Sequence, residues 1–422
     1  MDKRSAAMRV RTSDLAPRLG ATAPGGGLSV CASCAPTSHS VTPRSPTSHQ
    51  RAAWLVLLAA ACLAMGCSAG ISPTVEPAPV RYPALLSEYG LWTGTGATQE
   101  PAEGVIPYDL NSALFSDYAL KFRFVKLPAG TSASYHEDDS FSFPVGTVIA
   151  KTFAYPADMR QPESDVRLIE TRILRHDPDG WVGLPYIWNE EQTEAHLKLT
   201  GGMLPVSWIH GDGEVRSLDY LIPNANQCKG CHKEHEGQML PIGPKARHLN
   251  RDFIYHHGTE NQLDYWSRTG ALEGSPPADE APRLAAWDDP TSGTLDERAR
   301  AWLEINCAHC HNPAGPARNS GLDLLASQKT PVKFGIDKTP VAAGRGSGGF
   351  RFAIAPGQPD QSIMVYRLRS LDPGVAMPEL GRASVHVESL ELIRQWIAAM
   401  SPGGEPADAE ARAPLDPTGT VR

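Results

Sequence analysis

Two short segments of the chain each place a pair of cysteines directly before a histidine: Cys228-Lys-Gly-Cys231-His232 and Cys307-Ala-His-Cys310-His311. Two thiols three positions apart on a helical turn face the same way, so each can form a thioether with one of the two vinyl groups of a haem. The imidazole that follows can then bind the iron. The segments therefore predict two covalently bound haem c groups, held by these four cysteines, with His232 and His311 as iron ligands.

The same cysteine spacing also occurs in zinc sites and in redox disulfides. Neither of these sites requires a histidine directly after the second cysteine in both copies. A zinc site that joined the two pairs would also have to bridge a long segment with a Pro/Gly-rich stretch. Haem attachment is therefore the favoured interpretation.

The elements around the second motif are helical. Thr294-Leu-Asp-Glu297 is typical of a capping box, and apolar residues continue at helical spacing through Trp302 toward Cys307. A second helix is predicted from Leu390 to Met400, because apolar residues repeat there at three and four positions before Pro402-Gly-Gly. Two such helices can cross and bury their aromatic faces.

Residues 294–400 resemble a class I cytochrome c domain, with a first helix that leads into the motif, a last helix that packs on it, and a loop between them that holds a methionine. The loop is Val375-Ala-Met377-Pro378. The resemblance implies that Met377 is the sixth iron ligand, and a His/Met pair raises the reduction potential and blocks substrate access. Met364 and Met400 are expected to be packing residues.

The first motif is less complete, since a strand and a turn precede it instead of a helix. The segment Ile242-Gly-Pro244 resembles the loop in cytochromes c whose backbone carbonyl accepts the hydrogen bond of the proximal imidazole. This resemblance supports His232 as a ligand. The sixth ligand stays open between Met239, one of four histidines, and an open or externally supplied position; the four are His235, His248, His256 and His257.

The N-terminal part of the chain has the alternating pattern of half-buried strands, for example in Ala119–Lys126. Two further strands flank the turn His176-Asp-Pro-Asp-Gly180 and predict a hairpin. We expect an antiparallel β sandwich or barrel-like domain. Its aromatic residues could form a ligand platform, although core packing is the commoner use, and Leu110–Asp117 contains no recognisable catalytic arrangement.

The leader combines an arginine, Arg51, with an apolar run that ends in Leu63-Ala-Met-Gly-Cys67. It resembles a bacterial lipoprotein signal, which implies lipid attachment at Cys67, removal of the preceding residues, and a membrane anchor facing the periplasm or in the outer membrane. An ordinary signal peptide is the alternative, and a true start near Val41 would explain the polar stretch ahead of the signal. The formal net charge of -8 gives no general basic surface, so no nucleic-acid partner is expected.

The expected fold class is α+β and multidomain, with the β domain followed by mainly α-helical cytochrome c-type modules. The predicted segments are a leader and signal peptide (1–66), a linker (67–80), the β-rich domain (81–222), the first haem module (223–274), a linker (275–293), the second cytochrome c domain (294–400) and a disordered tail (401–422).

This order, over roughly residues 82–400, resembles a little-characterised family of bacterial dihaem c-type cytochromes. The resemblance implies an electron carrier between redox protein partners in the cell envelope, more than a stand-alone enzyme. Two alternatives stay open: a dihaem peroxidase or oxidase that uses the first haem, and a ligand-binding β domain tethered to a redox unit. Partners, direction of electron flow and potentials are not set by the sequence.

Overall fold

The structure, a computed structural model, describes residues 82–232, 237–341 and 343–401. These residues belong to one compact unit that spans Pro79–Arg422. The predicted leader (1–66), Cys67 with the predicted linker to residue 80, and the predicted tail after residue 401 lie outside the described residues, as does His235. No helix in the described part of the chain has the length and apolar character needed to cross a membrane.

A six-stranded antiparallel sheet forms the centre of the N-terminal part. Its strands, in spatial order, are β1 (Val105–Tyr108), β2 (Leu120–Lys126), β4 (Val148–Pro156), β5 (Val166–Asp177), β6 (Gly180–Trp188) and β7 (Ala195–Leu197). The short strand β3 (Ala133–Ser134) lies outside this sheet, and β8 (Gly202–Ile209) and β9 (Val215–Ile222) form a separate hairpin. The structure confirms the antiparallel strands and the hairpin around Gly180.

The expectation of a barrel is wrong, because the sheet stays open with β1 and β7 as its edges. The β8–β9 hairpin covers only part of one face, where Trp208 and Tyr220 pack on Phe153 and Tyr155. The opposite face packs on the segment before β1, including Leu86 and Leu91. The sheet is therefore covered on part of one face by a second layer of two strands and does not close into a barrel.

The first C-x-x-C-H segment lies on a short helix, α1 (Ala225–His232), directly after β9. The chain continues through α2 (Ala246–Leu249), β10 (Asp252–Tyr255), β11 (Gly258–Asn261), α3 (Gln262–Arg268) and β12 (Leu272–Glu273). This region, expected to be mainly helical, contains a β hairpin, and β12 pairs in parallel with β3. Its central residue Trp266 shares one core with Val125 and Ile149 of the sheet.

The C-terminal region contains four helices: α4 (Leu295–Leu303), α5 (Pro331–Phe334), α6 (Ile363–Arg369) and α7 (Val387–Ala398). The structure confirms the two helices that the sequence predicts, α4 and α7, whereas α5 and α6 are additional. The capping box is present, since the Thr294 side chain accepts from the Glu297 N–H and the Glu297 side chain accepts from the Thr294 N–H. Trp302 of α4 and Trp396 of α7 share one core, and the Trp396 indole donates to Asp296 at 2.8 Å.

Residues 111–118 of the N-terminal part dock both later regions. The Asn111 amide donates to the Arg247 carbonyl at 3.0 Å, and the Phe115 N–H donates to the Asn306 side chain at 2.7 Å. Asp117 is buried and accepts from the Ala383 and Ser384 N–H groups. The polar residues of this segment therefore have a structural use, since they satisfy backbone groups where three regions meet.

Candidate functional site

A cavity of about 110 Å³ in the C-terminal region brings together the residues predicted for the second iron. Cys307, His311 and Met377 all line it. Most of the other lining side chains are apolar, including Leu303, Leu324, Ile363 and Leu368. The chemistry of this lining, with one imidazole and one thioether among apolar side chains, suits a largely apolar metal cofactor.

Local structure positions each of these groups. A π-helical turn, Glu304–Ala308, extends α4 and places Cys307 at the cavity. Arg367 of α6 holds the methionine loop, because its guanidinium donates to the Val375 carbonyl at 2.8 Å and its own carbonyl accepts from the Met377 N–H at 3.2 Å. Arg367 thus fixes the segment that carries Met377, through its guanidinium and its backbone carbonyl.

The imidazole of His311 is oriented by a hydrogen bond between Nδ1 and the Ser320 hydroxyl at 2.9 Å. The Ser320 hydroxyl itself donates to the Ala317 carbonyl, so it accepts from His311. Burial lowers the pKa of His311 to about 4, which keeps the ring neutral at pH 7. A neutral imidazole with Nδ1 engaged presents Nε2 as a metal ligand.

The imidazole of His232 is held in the same way at the first motif. Its Nδ1 donates to the Leu240 carbonyl at 2.9 Å, and burial lowers its pKa to about 4. The acceptor is not in the Gly-Pro segment that the sequence suggested. The Pro244 carbonyl instead accepts from the Phe141 N–H, because that segment packs along the β domain.

The first motif lies directly on the sheet. A Cβ at Gly183 of β6 would be 3.0 Å from Cys228 Cβ and 2.8 Å from Met239 Cε. Only a glycine lets the helix approach the strand this closely. Met239, one candidate for the sixth ligand, therefore lies at this contact beside Cys228.

A second cavity, of about 210 Å³, lies at the first motif and is lined by Cys231 and His232. A buried cluster borders it: Glu304 accepts from His248 Nε2 at 2.9 Å and from Arg247 Nε at 2.5 Å. Burial raises the pKa of Glu304, but His248 and Arg247 outweigh this and hold it at about 2. The cluster is thus an ionised carboxylate with two basic partners.

The histidine alternatives for the first iron are placed differently. His248 lines the second cavity, whereas His257 bonds to Glu260 on the β10–β11 hairpin and stacks on Tyr265, with His256 beside it. A histidine that sequence reasoning did not consider, His309, also lines this cavity. Its Nδ1 is buried with no hydrogen-bond partner among the described residues. The only signal for His309 is its place between the two cysteines of the second motif.

The two motifs meet in space. One ligand atom each from Cys231, His309 and Cys310 lies within 4.8 Å of the others. A hydrogen bond from Cys310 lowers the pKa of the Cys231 thiol. The objection that the two cysteine pairs are too far apart to share a metal is therefore wrong. A closed tetrahedral zinc site needs four ligands, and of the other two thiols Cys228 lies at Gly183 and Cys307 at the apolar cavity.

Comparisons with protein-family models, with curated proteins and with solved structures find no match for this chain. The donor set at each motif is two thiols and one neutral imidazole with an engaged Nδ1. Burial also raises the pKa of Cys307 to about 12, so this thiol is protonated at pH 7. These groups fit thioether attachment of a haem with a histidine ligand.

Proposed function

We propose that the chain is a dihaem c-type cytochrome that transfers electrons between redox protein partners. The observation that carries the proposal is the apolar cavity that Cys307, His311 and Met377 line together. These residues come from two segments far apart in sequence, and each is of the type that a haem c with His/Met ligation requires. Cys228, Cys231 and His232 would hold the other haem, at the first motif.

When bound, haem c supplies reversible one-electron chemistry at iron. The side chains of this chain bind and orient the group. Neutral imidazoles are fixed at Nδ1 by Ser320 and by the Leu240 carbonyl. The apolar lining of the second site excludes water and, with the soft thioether of Met377, favours the ferrous form and a higher potential.

The contact between the motifs supports a relay. Cys231 and Cys310 would each be a thioether attachment, and their sulfur atoms lie within 4.8 Å. The two macrocycles would then be joined to the protein at adjacent edges. Electrons that enter at one haem can pass to the other without crossing a thick layer of protein.

We also propose export to the cell envelope and a lipid anchor at Cys67, as the leader sequence suggests. Covalent attachment of haem c is carried out outside the bacterial cytoplasm, which agrees with such a leader. The acidic chain, with a net charge of -8, favours partners with positive docking surfaces.

Spectroelectrochemical titration of the full chain tests this proposal. We expect two one-electron steps in the wild type, and one step in each single-motif variant. The matched variants are Cys228→Ser/Cys231→Ser and Cys307→Ser/Cys310→Ser. A wild type without reversible haem absorbance changes contradicts the proposal.

A second candidate function is reduction of a small oxidant such as peroxide at the first motif. The observation that favours it is the cavity that His232 shares with Lys245 and His248, since reduction of peroxide to water takes two protons as well as two electrons. Rapid oxidation of the reduced protein by peroxide, slowed in His248→Ala, would support this activity. No faster oxidation than for a simple carrier would exclude it.

A further inference from the structure

A band of positive charge crosses one face of the six-stranded sheet. At one end of this face, Val125 and Ile149 belong to the apolar core that the sheet shares with the first motif region. At the other end of the face, Tyr155 packs against the β8–β9 hairpin. The residues between these two cores are mostly charged. Charges are rarely placed on a covered sheet face unless they are paired or bind a ligand.

The strand register makes three of these cations direct neighbours. Arg123 of β2 is opposite Lys151 of β4, and Lys151 is opposite Arg172 of β5. Lys121 lies two positions before Arg123 and on the same face of the sheet. The charged groups of Lys121, Lys151 and Arg172 lie 6.0, 5.0 and 4.1 Å from the centre of the buried Phe153 ring. Like charges placed opposite each other destabilise a sheet unless negative charge compensates them.

The carboxylates near the band are committed to the arginines. Glu170 pairs with Arg172 at 2.5 Å and accepts from the Tyr220 hydroxyl at 2.8 Å. Asp109 pairs with Arg123 at 2.6 Å and is also 3.4 Å from Arg251.

The two lysines have no such partner. Among the described residues, Lys121 donates only to the Ala119 carbonyl, and Lys151 forms no ion pair. Asp117, which also acts on Lys121, accepts from the Ala383 and Ser384 N–H groups. Among the described residues, neither ammonium group has a carboxylate at ion-pair distance, and Asp109, Asp117 and Glu170 act on them only from further away.

This arrangement is costly without a ligand. Burial, with added repulsion from Arg123 and Arg172, lowers the pKa of Lys121 to about 7. Burial also lowers the pKa of Lys151 well below its ordinary value, and repulsion from Arg123 and Lys121 lowers it further. An anion with two negative charges placed among these groups would restore both ammonium ions.

The first motif supplies such an anion if it carries a haem. Gly183, which contacts Cys228, lies on the same face of the sheet as the band. In β6 it is two positions from Pro185, which is opposite Arg172, and residues two positions apart on a strand share a face. A haem c is attached at its vinyl edge, and its two propionate carboxylates are at the opposite edge. The band and the cysteines therefore occupy one continuous face.

We propose that Lys121, Lys151 and Arg172 bind a dicarboxylate, namely the two propionate groups of the haem attached at Cys228 and Cys231. The β domain then forms part of the first haem pocket. This inference rests on the proposed function. It also explains why the first motif lies on a sheet instead of inside a helical module.

Resonance Raman spectroscopy of the propionate bending bands tests the inference on the full haem-loaded chain. The variant is Lys151→Gln, and the matched control is Lys198→Gln, which removes an exposed lysine beside β7. We expect both variants to keep two haems per chain. Lys151→Gln should shift the propionate band of one haem, and Lys198→Gln should leave both bands unchanged. If Lys151→Gln does not fold, Lys121→Gln carries the same expectation.

Two results overturn the inference while the proposed function stands. One is an unchanged propionate band in a Lys151→Gln protein that retains two haems. The other is binding of inorganic phosphate by the loaded wild type that Lys151→Gln abolishes, since the band would then be open to soluble anions. A wild type that carries no haem contradicts the proposed function itself, so the two failures are distinguishable.

Discussion

The Cys231 and Cys310 side chains come from different C-x-x-C-H motifs, and their sulfur atoms lie within 4.8 Å of each other. The Cys310 thiol also approaches the Gly230 carbonyl at 4.0 Å. If each cysteine forms a thioether, the two haems are attached side by side. The short distance between the motifs would then also shorten the path for electron transfer between the two haems.

Adjacent haems couple their strong electronic transitions. We predict a two-signed circular dichroism couplet in the Soret region of the wild type, because two chromophores at short distance exchange excitation. Each single-motif variant should give a band of one sign. A wild-type spectrum that equals the sum of the two single-motif spectra would show that the haems are not close.

Met377 should control the potential of the second haem. Met377→Ala removes the thioether that favours ferrous iron, so the potential of one haem should fall by on the order of 100 mV, part of the roughly 0.8 V that axial ligands span. The near-infrared sulfur-to-iron charge-transfer band should disappear with it. Met364→Leu is the matched control, since Met364 lines the same cavity and should leave the band in place.

Gly183 should be required for loading of the first motif. Gly183→Val places atoms where Cys228 Cβ and Met239 Cε already lie, at 3.0 and 2.8 Å from the new Cβ, so the helix must move off the strand. We predict that the haem content falls toward one per chain. Gly211→Val is the control, because nothing lies within 4 Å of its Cβ position, and it should retain both haems.

Glu304 should be important for stability. Glu304→Gln leaves Arg247 and His248 buried without their carboxylate, and we expect the free energy of unfolding to fall by about 3–5 kcal/mol in urea titrations. Glu391→Gln, at an exposed position of α7, should change it by less than about 0.5 kcal/mol.

The same carboxylate sets a pH dependence. Its pKa is about 2 in the folded protein against an ordinary value of 4.5, so the unfolded state binds more protons between these values. The stabilisation is present above pH 4.5 and is lost as the pH falls toward 2. Glu304→Gln should lose less stability than the wild type over this range, and equal losses would show that Glu304 is not the group responsible.

Local sequence patterns predicted several elements of this protein. The alternation in Leu120–Lys126 and the capping box at Thr294 depend only on neighbours along the chain, and both are present. The barrel expectation failed because alternation identifies a half-buried strand without saying whether the sheet closes. A β hairpin covers part of the face instead.

The composition of the site could be predicted only in part. Cysteine spacing identified both motifs, and the Met-Pro sequence led to Met377, which lines a cavity with His311. The place of His309 at the second cavity, and the Glu304 cluster, arise from packing between segments distant in sequence. In the sequence, His309 looks like an ordinary spacer between two cysteines, and Glu304 looks like an ordinary helical glutamate.

Quantitation of haem per chain shows whether the two C-x-x-C-H motifs carry haem c. The full chain, including residues 1–66, produced in a host that matures c-type cytochromes, should give a c-type pyridine haemochrome spectrum with two haems per polypeptide. Cys307→Ser/Cys310→Ser should give one. A wild type without the c-type spectrum, and above all one with stoichiometric zinc held at Cys231, His309 and Cys310, would contradict the account.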